Sequence, residues 1–190
     1  MYFLNTPLPF VISILSLSIN LVLGLIVFLG NRRSSTNVVF GFLNIFLAFF
    51  TVANLLAVSP LGYAEKLMWL RFVMFSAVFM NTFLYLFVRI FPDEEINISL
   101  NKKALIFISS AIVGSLTLSP LVFSAITIPK GSNVPDPVPG SAVYLFGLYA
   151  IILTVLSIWT LIDKFRKETD LIRKRQIQYI LIGTGIMFFA

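Results

Sequence analysis

"WLRFVMFSAVFMNTFLYLFVRIFPD", residues 69–93, decides the fold. Between Trp69 and Phe91 only Arg71 and Arg89 are charged, and no Pro or Gly interrupts the run until Pro92. A helix needs about 20 apolar residues to cross the hydrocarbon core of a bilayer, so this stretch reads as one pass. The whole chain agrees with that reading. It is 58% hydrophobic and only 12% charged over 190 residues, with a mean hydropathy of +0.97. A soluble domain of this length carries roughly twice that share of charge.

Working outward, this third run extends from about Lys66 to Phe91 and is closed by Pro92 and Asp93-Glu94-Glu95. Before it, a first run covers about Leu8 to Gly30 and stops at Asn31-Arg32-Arg33; a second covers about Asn37 to Ser59 and stops at Pro60-Leu61-Gly62. After it, a fourth run is expected from about Ala104 to Ala125. "TIPKGSNVPDPVPGS", residues 127–141, is too rich in Pro and Gly for anything but a loop. A fifth run covers about Ala142 to Ile162, and a sixth opens near Gln176 and is cut by the end of the chain. The expected fold is an all-α, polytopic transmembrane bundle of five complete helices and the start of a sixth, one membrane region over residues 1–190 with no soluble domain.

The first run is not a secretion signal, because "MYFLNTPLPF" lacks a basic leader and its positive charges follow the apolar stretch. Eleven of the 14 Lys and Arg fall in one set of alternate connections; Lys66, Arg71 and Lys130 fall in the other. The positive-inside rule then places the N-terminus outside. A net charge of +6 would suggest nucleic acid in a soluble protein, but these cations sit in short clusters between apolar runs. Membrane lipids with anionic head groups are the expected partners, and no nucleic acid is.

Chemistry is scarce. The absence of histidine removes His-metal sites, Ser-His catalysis and a phosphorylated histidine within these residues. No cysteine is present for a disulfide or thiolate site. All eight acidic residues map to loops or helix ends, and Glu94-Glu95 read as a solvated pair with no His to complete a metal site. No catalytic residue, cofactor or metal is called for, and the chain reads as no enzyme.

Polar residues at membrane depth are costly and invite a reason. Arg71 lies near the outer surface, and snorkelling of its head to water is the plainer reading. Asn20, Asn44, Asn54 and Asn81 read as interhelical hydrogen-bonding groups, each worth on the order of 1 kcal/mol. The functional alternative places Asn54, Arg71 and Asn81 around a small ligand pocket open to the outside. In the fourth run Ser110 with Gly114, and Ala111 with Ser115, repeat at a spacing that allows close helix approach. Tyr63, Trp69, Tyr144 and Trp159 read as interfacial anchors.

The segment "DKFRKETDLIRKRQIQ", residues 163–178, carries six basic residues and neither Pro nor Gly, so its two helices are expected to project past the bilayer and turn near Thr169-Asp170. Asp170 suits an N-cap. Arg173, Lys174, Arg175 and Gln176 are the candidate residues for lipid contact or for coupling to a cytoplasmic partner.

Four stretches carry a family likeness: "NVVFGFLNIFLAFFTVANLLA" (37–57), the opening quotation with its Phe-Pro exit, "GSAVYLFGLYAIILTVL" (140–156) and "RKRQIQYILIGTGI" (173–186). The chain resembles the N-terminal seven-helix membrane region of bacterial sensor histidine kinases and related signalling proteins. Arg71, Pro92, Gly140, Arg175, Gln176 and Gly183 are the matching positions. The resemblance implies a sensory input module in the plasma membrane, a homodimer, and a two-component pathway. It also implies a continuation through the rest of the sixth helix and a seventh into a PAS, kinase or nucleotide-cyclase domain. A reading from another class is a small transporter or channel subunit. Against it stand the lack of internal repeats, of intramembrane acids and of Gly or Pro breaks within a helix.

Overall fold

The computed structural model describes residues 7–92, 99–129 and 134–189. Asp93-Glu94-Glu95 and Lys130 lie outside the described residues. Six helices and one hairpin follow in the order α1 (Pro7–Gly30), α2 (Ser35–Val58), α3 (Tyr63–Ile90), α4 (Leu100–Thr117), β1 (Phe123–Thr127), β2 (Asp136–Pro139), α5 (Val143–Lys167) and α6 (Leu171–Phe189). Four of the helices, α1, α2, α3 and α5, are long and apolar enough to cross a membrane. Helix α4 is 18 residues long and opens with Lys102 and Lys103; α6 is 19 residues long and opens with Arg173-Lys174-Arg175.

Helix α3 is the axis of the bundle and packs against α2, α4, α5 and β1. Its lower half carries most of the core: Met80, Phe83, Leu84, Leu86, Phe87 and Val88 meet Leu43 of α2, Leu161 of α5 and Ile177 of α6. The α2–α3 seam is a ladder of phenyl rings, with Phe42 stacked on Phe83 at 5.2 Å and Phe46 on Phe79 at 5.0 Å. Such offset pairs contribute about 0.5–1.5 kcal/mol each beyond the area they cover. Much of the phenylalanine is therefore interhelical filling. By contrast α1 packs chiefly on α2 and leaves Phe10, Leu15, Val22 and Ile26 exposed, as a lipid-facing helix does.

Three boundaries differ from the hydropathy reading. Helix α4 ends at Thr117, eight residues before Ala125, because Pro120 disfavours helix at the residue before it and Ser119 turns the chain. The segment after it is still apolar, but it forms β1. The expected 127–141 loop contains β2, which pairs antiparallel with β1 from Phe123↔Pro139 to Thr127↔Asp136 around an irregularity at Phe123–Ala125. Helix α6 opens at Leu171, ahead of the apolar run near Gln176 and at the expected Asp170 cap, whose carboxylate accepts from the Ile172 N–H at 2.8 Å.

The small-residue stripe of α4 splits. Ser110 and Gly114 face α3, where a methyl at Gly114 would stand 3.0 Å from Phe79 Cε2. Ala111 and Ser115 are exposed, because a helix turns only one stripe toward its neighbour, so the second pair does not serve close approach.

Candidate functional site

Helix α3 is joined at three levels to the segment formed by the hairpin and α5, and every predicted site residue can be placed against those joints. At the hairpin end, the Arg71 guanidinium donates to the Phe123 carbonyl through Nη2 at 2.8 Å and Nε at 3.3 Å. Eight residues earlier, two turns up the same side of α3, the Tyr63 hydroxyl accepts from the Ile126 N–H at 3.2 Å. The two side chains hold β1 against α3. Arg71 therefore does not snorkel to water; its head is spent on the backbone of a strand 52 residues away. Tyr63 is likewise a clamp as well as an interfacial ring, whereas Tyr144 and Trp159 stand 82% and 72% exposed, as anchors do. Trp69 is half-buried and leans on Phe72.

Gly140 completes this end. It sits where the hairpin turns into α5, its N–H donating to the Val122 carbonyl at 2.8 Å. A Cβ here would lie 2.3 Å from the Leu121 carbonyl oxygen, so close approach of backbone to backbone requires glycine.

In the middle of the bundle, three hydroxyls from three helices meet. Thr82 of α3, Ser110 of α4 and Tyr149 of α5 lie 2.8–2.9 Å from one another. Thr82 and Ser110 also reach the carbonyls of Val78 and Ile106 in their own helices. Three protons thus serve five contacts, which admits more than one arrangement of the same bonds. Nearby, Thr154 of α5 donates to Asn81 Oδ1 at 3.3 Å.

At the basic end, the Lys164 ammonium of α5 donates to the carbonyls of Arg89, at 2.9 Å, and Phe91. These are the last carbonyls of α3, which no residue of that helix can satisfy, and a cation there also complements the helix dipole.

The three expected ligand residues are not brought into one hydrogen-bonded group. Asn54 donates to Phe50 O and Asn81 to Ala77 O, each one turn back in its own helix at 2.9 Å. Arg71 and Asn81 are ten residues apart on α3, about 15 Å along its axis. Asn44 is buried and bonds Phe40 O in the same way.

Of the basic-end candidates, Lys174 lies over the Phe165 ring at 5.0 Å, tying α6 to α5, while Arg173, Arg175 and Gln176 are exposed beside the turn. Gly183 sits on open surface, with room for a side chain.

A family model, the N-terminal 7TM region of histidine kinase, matches residues 12–190. The chain belongs to that family. No curated protein and no solved structure matches it. The histidine kinase 7TM region is a sensory input region and not a catalytic domain, and its apolar helices make this a multi-pass membrane protein.

Two of the positions that carried the likeness, Arg71 and Gly140, now have a local physical role in seating the hairpin. Thr82, Tyr149 and Lys164 escaped sequence reading. A lone Thr or Tyr in an apolar run gives no signal, and Lys164 was one of six cations in a cluster.

Replacing Arg71 with Ala leaves the buried Phe123 carbonyl without its charged donor, at a cost of about 2 kcal/mol. The expected result is faster amide exchange across Phe123–Thr127 with α5 protection unchanged. Exchange equal to that of the native chain would show that Arg71 does not hold the strand.

Proposed function

We propose that this 7TM region is the membrane input of a bacterial two-component protein of the plasma membrane, with its N-terminus outside. It passes a conformational signal to a cytoplasmic output domain such as a histidine kinase. The observation that carries this reading is the three-level joint between α3 and the segment formed by the hairpin and α5. The hairpin is held by α3 and runs directly into α5, so displacing it biases the relative position of the two helices. The hydroxyl cluster gives that seam alternative bonding arrangements, and Lys164 gives it a second fixed point at the basic end. Signalling is then a shift between two packings of a pre-existing equilibrium. The shift leaves the bundle through the turn at Thr169-Asp170 and the face bearing Arg173, Arg175 and Gln176.

In this reading the stimulus acts at the hairpin end, with Arg71 as the first ligand-responsive residue and Asn54 and Asn81 behind it. Five full passes, a sixth in α6 and a seventh beyond it would bring the output domain to the cytoplasmic side. A homodimer and contacts with anionic lipid belong to the same proposal.

Autophosphorylation of the full-length protein in membrane vesicles tests it. Tyr149→Phe removes one hydroxyl from the cluster at a cost of about 1 kcal/mol, enough to change the ratio of two states about fivefold. The expected result is a basal phosphorylation rate shifted by a few-fold at unchanged protein level. A rate identical to the native one in both Tyr149→Phe and Arg71→Ala would refute the seam as the signal path. Solute flux in proteoliposomes would instead support a transporter.

A further inference from the structure

The α1–α2 pair carries a feature that signalling does not use. A groove of about 300 Å³ runs between them at their basic end, within the lower range of ligand pockets. One wall is Leu21, Leu25 and Phe28 of α1; the other is Val38, Phe42 and Ile45 of α2. Gly24 and Gly41 form its floor, where the two helices touch: a Cβ at Gly24 would stand 2.7 Å from Asn44 Cβ and one at Gly41 3.2 Å from Phe28 Cδ2. The one polar residue, Asn44, has its amide donating to Phe40 O. Apart from Asn44 the lining is carbon, which suits hydrocarbon better than a polar ligand.

Position and charge identify the occupant. Phe28 and Val38 lie three and four residues from the ends of the Asn31–Ser34 connection, so the groove runs along the helices toward that turn. Arg32 and Arg33 stand there, exposed, and the Arg32 guanidinium lies over the Phe28 ring at 5.7 Å from its centre. No acidic residue occurs between Met1 and Ala64 to neutralise them. A cationic mouth on an apolar groove about two turns long matches one acyl chain with an anionic head group.

We propose that the α1–α2 groove is a specific site for an anionic phospholipid, its acyl chain lying over the glycine floor between Leu25 and Ile45 and its phosphate at Arg32 and Arg33. The inference rests on α1 and α2 alone and stands independently of the signalling reading.

Native mass spectrometry of the protein in mixed phosphatidylglycerol and phosphatidylcholine micelles of matched acyl chains tests it. The expected result is retention of phosphatidylglycerol about tenfold over phosphatidylcholine, from two juxtamembrane arginines. Arg32→Gln with Arg33→Gln should bring the two lipids to parity while some lipid is still retained. Ile45→Trp and, from the opposite wall, Leu25→Trp should lower retention of both lipids; both sites are more than half exposed and accept a larger ring without repacking the core. Parity in the native protein overturns the site, as does a preference unmoved by the arginine changes or retention unmoved by both tryptophans. Loss of a dimer in the tryptophan variants with lipid retention intact would assign the groove to a second copy of the chain and overturn it equally.

Discussion

Replacing Gly140 with Ala is expected to detach the hairpin from the top of the bundle. The added methyl carbon would stand 2.3 Å from the Leu121 carbonyl oxygen and within 2.7 Å of the carbonyl of Pro120, both of them backbone atoms that cannot rotate away. The junction must therefore open, and with it the Gly140 N–H to Val122 O and Ala142 N–H to Leu121 O bonds, both 2.8 Å. Overpacking of this kind costs about 3 kcal/mol. Hydrogen exchange should report loss of protection from Val122 through Thr127 and at the first turn of α5, together with a lower thermal midpoint. Native-like protection of β1 in this variant would mean that the backbone approach at Gly140 is not what closes the hairpin. In the full-length protein, the same substitution should uncouple phosphorylation from any stimulus acting at this end.

Lys164→Met is expected to act at the opposite end with comparable force. The methionine keeps the length and apolar stem of lysine but removes the ammonium, so the carbonyls of Arg89 and Phe91 lose their donor together. Two charge-assisted bonds to helix-terminal carbonyls make a loss of about 3 kcal/mol reasonable. The end of α5 should then separate from α3, while the hydroxyl cluster farther up the seam stays closed. Disulfide trapping between cysteines introduced at Arg89 and Ile162 would measure this. Trapping should fall several-fold in Lys164→Met and recover in part in Lys164→Arg, whose guanidinium can still donate. Equal trapping in all three proteins would show that Lys164 merely lies beside these carbonyls.

What the sequence discloses follows from the length scale of each signal. Runs of apolar residues bounded by Arg, Pro and Gly are long and redundant, so the presence of α1, α2, α3 and α5 is legible without any knowledge of partners. Helix α4 shows where hydropathy fails. "LSPLVFSAI", residues 118–126, stays apolar after the helix has ended, and a short apolar run does not separate strand from helix. Pro120 was the local sign of the break. At α6 hydropathy alone would start the helix near Gln176, but the absence of Pro and Gly and the Asp170 cap already carried it back through Arg173-Lys174-Arg175, as observed.

The joints were harder still. Depth along a helix can be counted, but direction cannot. Arg71 had the right depth for snorkelling, and only the return of the chain as β1 supplied the carbonyl that claims it. Thr82 and Tyr149 are 67 positions apart, and neither is unusual where it stands.

The hairpin has one more consequence, for association between molecules. A two-stranded sheet ordinarily offers two rows of unpaired backbone groups, on which a further strand from another chain can build. Here the Phe123 carbonyl and the Ile126 N–H on β1 are already taken by Arg71 and Tyr63. On β2, Pro137 and Pro139 have no N–H to offer. Both margins are thus closed to strand addition, one by the helix beneath and the other by its own composition. Copies crowded together in one membrane would not zip into a shared sheet at this end. A molecule that recognises the hairpin would have to grip side chains, such as the exposed Ser124, Thr127 and Val138, rather than extend the backbone ladder.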